Sequence, residues 1–199
     1  MKYPIRFFGF LLFFLMIAPA NAAMSPLGIS VFPPVQFPSE PFTVAGARVN
    51  LLWGSHMDVY GIDVGVLGNI TAHDMIGVQV AGLMNWNKGD STAIGLQLAG
   101  LANMSVNKAH LVGVQAAGIL NYNHGEGSDL GVIVAPVNLT EFTKVMGLEV
   151  GLYNIASEVY GFQIGLINKT QRLHGIQIGV LNFNREGLFA VAPALNVGF

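Results

Sequence analysis

The chain has 199 residues, a net charge of −2, only 10% charged residues and no cysteine. The lack of cysteine excludes disulfides, thiolate metal sites and a lipidated cysteine. The sparse, scattered charge offers no basic stripe to nucleic acid and no polybasic cluster to anionic lipid.

Lys2 and Arg6 precede an almost wholly apolar run from Phe7 to Ala18, and PANA at 19–22 places small residues where a signal peptidase cuts. Residues 1–22 therefore read as a secretory signal peptide, and the run is short for a membrane helix of about 20 residues. Residues 23–41 hold five of the nine prolines and read as a Pro-rich extended arm. Residues 42–199 read as one repeat-built β domain. It opens with a strand, FTVAGARVNLLW at 42–53, that turns through GSHMD.

A tandem array follows. GIDVG at 61–65 recurs as GVQVA, GLQLA, GVQAA, GVIVA, GLEVG, GFQIG and GIQIG. The leading glycines are Gly61, Gly77, Gly95, Gly113, Gly131, Gly147, Gly161 and Gly175, spaced by 16, 18, 18, 18, 16, 14 and 14 positions. Each unit ends in asparagine, from Asn69 to Asn182, and a degenerate copy, FAVAPALN at 189–196, closes the chain. Such self-similarity marks an array of structural units. Within a unit, bulky apolar residues alternate with Gly and Gln, the period of a strand. Two glycines per unit argue against helix, where each costs about 1 kcal/mol. The extra residue of the AG units at 81–82, 99–100 and 117–118 reads as a bulge. Most charges fall in the turns between units.

Ten candidate strands result: one leading, eight repeated, one closing. We favour an antiparallel up-and-down meander closed into an outer-membrane β-barrel, with the bulky face toward lipid and the small polar face toward a narrow lumen. In that reading Phe199 is the C-terminal aromatic that marks such barrels for assembly, and the membrane lipid and the outer-membrane assembly machinery are the partners. Trp53, Trp86, Tyr122, Tyr153 and Tyr160 near strand ends form a sparse girdle. Pro136 and Pro193 inside strands must sit at bulges or edges. A soluble curved sheet or sandwich and a β-solenoid are the alternatives. Repeated asparagines would stack as ladders in a solenoid, but the 14-residue spacing leaves room for only one strand of this length and a turn.

The tandem Gly-Φ-Gln-Φ-Gly-Φ-x-Asn units, the lead FPPVQFPSEPFTVAGARVNLLWG and the close VAPALNVGF resemble the bacterial surface-repeat proteins first catalogued in spirochaetes. Asp63, Ile133 and Glu149 depart from that pattern where Gln is usual. The resemblance implies an exported or surface-associated protein of unknown biochemical role, and it brings no catalytic residues with it.

Chemistry is thin. Asp63, Gln79, Gln97, Gln115, Glu149, Gln163 and Gln177 form one polar column, facing a lumen or simply water. His56, His73, His110, His124 and His174 lie in or beside turns, and a metal site needs two or three of them to converge; solvated turn histidines are the simpler expectation. The NxS/T triplets beginning at Asn69, Asn103, Asn138 and Asn168 follow from the asparagine that ends every unit. No catalytic motif, cofactor site or metal site is expected. The expectation for function is a surface-associated structural outer-membrane protein without catalysis; the alternative is a soluble periplasmic or secreted module for binding or adhesion, offering its Gln and Asn columns to an extracellular partner.

Overall fold

The computed structural model describes residues 23–199, so the expected signal peptide lies outside the described residues. The all-β expectation holds; the barrel does not. The chain winds as a β-solenoid of about ten turns. After β1 (Met24–Phe32) and β2 (Val35–Phe37), each coil pairs a longer strand with a shorter one. These are β3 (Thr43–Asn50) with β4 (Trp53–His56), β5 (Val59–Gly65) with β6 (Gly68–Thr71), and β7 (Met75–Ala81) with β8 (Met84–Asn87). The next are β9 (Ser91–Ala99) with β10 (Ala102–Ser105) and β11 (Ala109–Ala117) with β12 (Leu120–Asn123), followed by β13 (Gly127–Val134). In β14 (Val137–Val150), β15 (Tyr153–Ile164) and β16 (Ile167–Asn184) the short and long segments run on without a break, and β17 (Val191–Gly198) closes the chain.

Neighbouring coils are parallel and in register, Gly61 to Gly77 to Gly95 and on to Gly175. Only this arrangement sets every copy of a residue on its equivalent. An antiparallel meander shows the same alternation but pairs unlike positions. A 14-residue coil suffices because the repeat is not one strand: it bends after its second small residue, at Gly82-Leu83 or Gly165-Leu166, and continues in a second sheet. The supposed bulge residues, Gly82, Gly100 and Gly118, lie in this corner. The bend also reverses the alternation. Asn168, on the bulky face if the octet were straight, points inward and is fully buried. Differences in repeat length are taken up at the corner and in the turns between short and long strands, which carry most of the charge and form a polar ridge.

The leading glycines make this stacking possible. They adopt φ from 123° to 148°, and at Gly113 a β-carbon would lie 2.0 Å from the carbonyl oxygen of Gly95. Gly113→Ala is therefore expected to lower stability by about 2 kcal/mol or more, through backbone strain and a clash that no rotamer relieves. Urea unfolding checks this; a loss below about 0.5 kcal/mol would mean that neighbouring coils separate at little cost.

Both ends are covered. The stretch read as an arm joins the fold: β1 pairs parallel with β3 and antiparallel with β2. The Gln36 amide bonds both backbone groups of Ser55, standing in for a further strand over β4. At the other end β17 folds back antiparallel on β16, with a register shift opposite Pro193 and with Ala194 at φ 64°. Pro193 thus sits on an edge strand at an irregularity, and Pro136 lies in a corner between β13 and β14, where its missing N–H breaks no ladder. Phe199 follows this end cap, fully exposed; with no barrel to close, its reading as an assembly signal loses its structural basis.

Candidate functional site

Amide columns fill much of the solenoid, beside one inward aliphatic column of the long sheet that runs from Val44 through Met75 and Leu111 to Leu173. Asn69, Asn85, Asn103, Asn121, Asn138, Asn154 and Asn168 each donate through Nδ2 to Oδ1 of the asparagine in the next coil, at 2.8–3.0 Å. Their second N–H goes to a backbone carbonyl, as from Asn85 to Leu98 at 2.8 Å. Because a carbonyl can only accept, this fixes the amide orientation. Gly54 holds the ladder position in the first coil, and Asn50 reaches across it to donate to Asn69 at 2.6 Å.

The second column runs with opposite polarity. Gln115 donates to Gln97, Gln97 to Gln79 and Gln79 to Asp63, at 2.9–3.0 Å. Ile133 interrupts it. Beyond, Gln177 donates to Gln163 at 2.7 Å and Gln163 to Glu149 at 2.6 Å. Each block ends toward the N-terminus in a carboxyl group, whose oxygen accepts from the adjacent glutamine amide and so sets the direction. All seven polar residues anticipated in this column are at most 1% exposed. They face neither water nor a lumen, and neither they nor the asparagines are open to a partner. The four triplet asparagines are equally buried.

The two acids differ in their surroundings. Asp63 receives a bidentate Arg48, Nε at 2.7 Å and Nη2 at 2.6 Å. Arg48 Nη1 also donates to the Ile70 carbonyl and lies 3.1 Å from His56 Nδ1. His56 donates from Nε2 to the Pro38 carbonyl at 3.0 Å, which leaves Nδ1 to accept from Arg48. Burial, followed by the Arg48 charge, lowers the His56 pKa to about 4. Glu149 has no cation beside it. It accepts from Gln163 and lies 3.3 Å from the Thr140 hydroxyl, and burial pushes its pKa up to about 8. Asp129, inward-facing two coils from Ala93, accepts from Asn123 at 2.8 Å and is pushed by burial to about 7. The sequence reading missed Arg48, His56 and Asp129 as interior groups. For Asp129 the signal existed: its register partners are Leu111 and Val145.

The remaining histidines do not converge. His110 bonds Ser128, His124 stacks on Tyr122 and His174 on Tyr160. Among the described residues no group of three potential ligands is close enough to hold a metal.

The bulky face lies outside and uncovered. Three outward columns of the long-strand sheet run from Ala45, Ala47 and Val49 to His174, Ile176 and Ile178 and contain no Asp, Glu, Lys or Arg. Leu83, Leu101, Ile119, Leu152 and Leu166 continue this surface along the corner, 37–58% exposed. The outward residues of the short-strand sheet carry it on, with Lys169 as the only charged member. The whole defines a class: a capped parallel β-solenoid with an amide interior and an aliphatic exterior. No family model matches the chain, and no curated protein or solved structure matches it.

Proposed function

We propose that the protein is an exported, surface-associated structural component of the cell envelope, held at a membrane by its outer surface and without catalytic activity. The observation that carries this is the outer face of the long-strand sheet, exposed over nine coils without one charged side chain. The largest apolar patch on a typical soluble monomer is about 300–600 Å², and this surface continues past the sheet around the corner. The tandem surface-repeat pattern and the leader-like first 22 residues agree with export. The polar columns, which an adhesion reading would offer to a partner, are consumed inside.

Fractionation of the native host tests the reading. The protein is expected in the membrane fraction, retained in high salt because no basic cluster holds it there, and released by detergent. Recovery as a soluble protein without detergent would overturn it. Heating should leave its gel mobility unchanged, since no closed barrel resists unfolding.

A further inference from the structure

We propose that the solenoid lies with its axis in the membrane plane and sinks its corner into one leaflet, hydrocarbon being the occupant of the apolar surface; this deepens the membrane-associated reading above and rests on it. Three observations converge.

The first is shape. The apolar surface is a wedge, with the corner leucines at its apex and the two sheets as flanks. The long-sheet face measures about 15 Å by about 40 Å, taking about 3.3 Å per residue and about 4.8 Å per coil. That is on the order of 600 Å², near one side of a standard protein interface. A second copy laid on this flat face would still leave the corner and the short-sheet flank in water. A fluid hydrocarbon layer covers all three. From apex to ridge the flanks run about 10 and about 17 Å at the same rise per residue, matching one leaflet's share of a hydrocarbon core about 30 Å thick.

The second is the rim. Where each flank meets the charged ridge, an aromatic ring stands beneath a lysine. On the short-sheet side Lys88 Nζ lies 5.1 Å from the Trp86 ring centroid; on the long-sheet side Lys144 Nζ lies 3.9 Å from that of Tyr160. Tyr122 shares the Trp86 column two coils on, and Tyr60 shares the Tyr160 column. Amphipathic rings with lysines reaching outward are the side chains that settle at the boundary of hydrocarbon and headgroup. Here they mark the same level on both flanks.

The third is charge. The ridge mixes acids and bases, with Glu158, Arg172 and Glu186 pairing among themselves, so attachment owes nothing to anionic lipid and zwitterionic phosphatidylcholine should suffice.

Depth-resolved quenching reads the orientation directly. The chain has two tryptophans: Trp53 stands beside the corner and Trp86 at the rim. The chain as purified from the exporting host is mixed with phosphatidylcholine vesicles brominated at shallow or deep acyl positions. In Trp86→Phe the remaining Trp53 should be quenched best by deep bromines. In Trp53→Phe the remaining Trp86 should be quenched best by shallow ones. A tryptophan placed by Tyr122→Trp in a chain lacking both should repeat the Trp86 profile, because an in-plane axis holds one column at one depth. Leu101→Lys with Leu166→Lys, both on exposed corner positions, should weaken vesicle partition at least tenfold.

Vesicle binding with different depths at positions 86 and 122, or with corner variants that bind normally, overturns the orientation while leaving membrane attachment in place. A stable dimer that forms without lipid and ignores vesicles makes a second copy the occupant and overturns the proposal. A soluble monomer indifferent to vesicles overturns both this inference and the membrane reading.

Discussion

Replacing Arg48 with methionine is expected to cost about 3–5 kcal/mol, the penalty for leaving a buried charge without its partner. Asp63 is wholly inside the solenoid and its carboxylate terminates the first amide block, accepting from Gln79, Asn50 and Arg48 together. The two amide donors remain in the variant, but no charge offsets the carboxylate, and the Ile70 carbonyl and His56 Nδ1 lose their donor. At about 2–4 °C per kcal/mol for a chain of this size, the midpoint of thermal unfolding should fall by roughly 10 °C. A second reading separates charge from packing. Arg48 is one cause of the depressed His56 pKa, so that pKa, followed by NMR, should rise in Arg48→Met. Adding Asp63→Gln converts the site to the amide found in most other coils and should restore at least half the lost stability. A single-variant loss under 1 kcal/mol would show that the ladder needs no compensated end.

Much of this fold is legible in the sequence, and the illegible part has a definite cause. The repeat, its strand character and the separation of bulky from small positions all follow from the Gly-Φ-Gln-Φ-Gly pattern. The direction of pairing does not, because parallel and antiparallel strands alternate alike; what distinguishes them is whether identical residues meet. Asparagine at the end of every unit is the available signal, since a ladder of amides forms only where equivalent positions stack. It carries little weight as long as the octet is read as straight. A bend at Gly165-Leu166 lets 14 residues supply two sheets and turns Asn168 inward, and no local propensity announces that reversal. The misplacement of Gln79, Gln97 and Gln115 has the same root. Glutamine is usually exposed, and only stacking on its own kind satisfies it when buried. Arg48, His56 and Asp129 escape a reading by repeat pattern because each deviates from its column in a single coil.

The partial inversion of the usual arrangement, amide columns within and most aliphatic columns without, follows from this geometry. A coil of 14 to 18 residues encloses room for about one side chain from each sheet at a given level, so the interior selects side chains that bond along the axis. One inward column of the long sheet holds aliphatic residues instead, Val59, Met75, Leu111, Val145, Val159 and Leu173 among them. The remaining large aliphatic groups lie on the outer face, where they gain only from contact between neighbouring coils unless something else covers them. Covering those outer columns would add about 25 cal/mol of stabilisation for each Å² removed from water.

The interior makes its own demand on solution conditions, and Glu149→Gln exposes it. In the folded chain Glu149 titrates near 8 and Asp129 near 7 because burial disfavours their charged forms. In the unfolded chain both titrate near 4. Between about pH 4 and pH 7–8 the folded state therefore holds protons that the unfolded state has released, and stability declines as pH rises through this window. His56 acts oppositely: its folded pKa of about 4 lies below the unfolded 6.5, so it lowers stability as pH falls from 6.5 toward 4. One histidine stands against two acids, and stability should fall on going from pH 5 to pH 8. In the variant the side-chain amide oxygen would accept from Gln163 as the Glu149 carboxyl oxygen does, and the amide N–H would donate to Thr140, whose own proton already goes to the Ile155 carbonyl at 2.7 Å. The substitution should thus be nearly neutral at pH 5 and stabilising on the order of 3–5 kcal/mol at pH 9. Urea unfolding of both chains across that range gives the answer: curves that converge toward acid and separate toward base support a buried, uncompensated carboxyl at the head of the second amide block, whereas parallel curves would mean that Glu149 reaches water or a cation in solution.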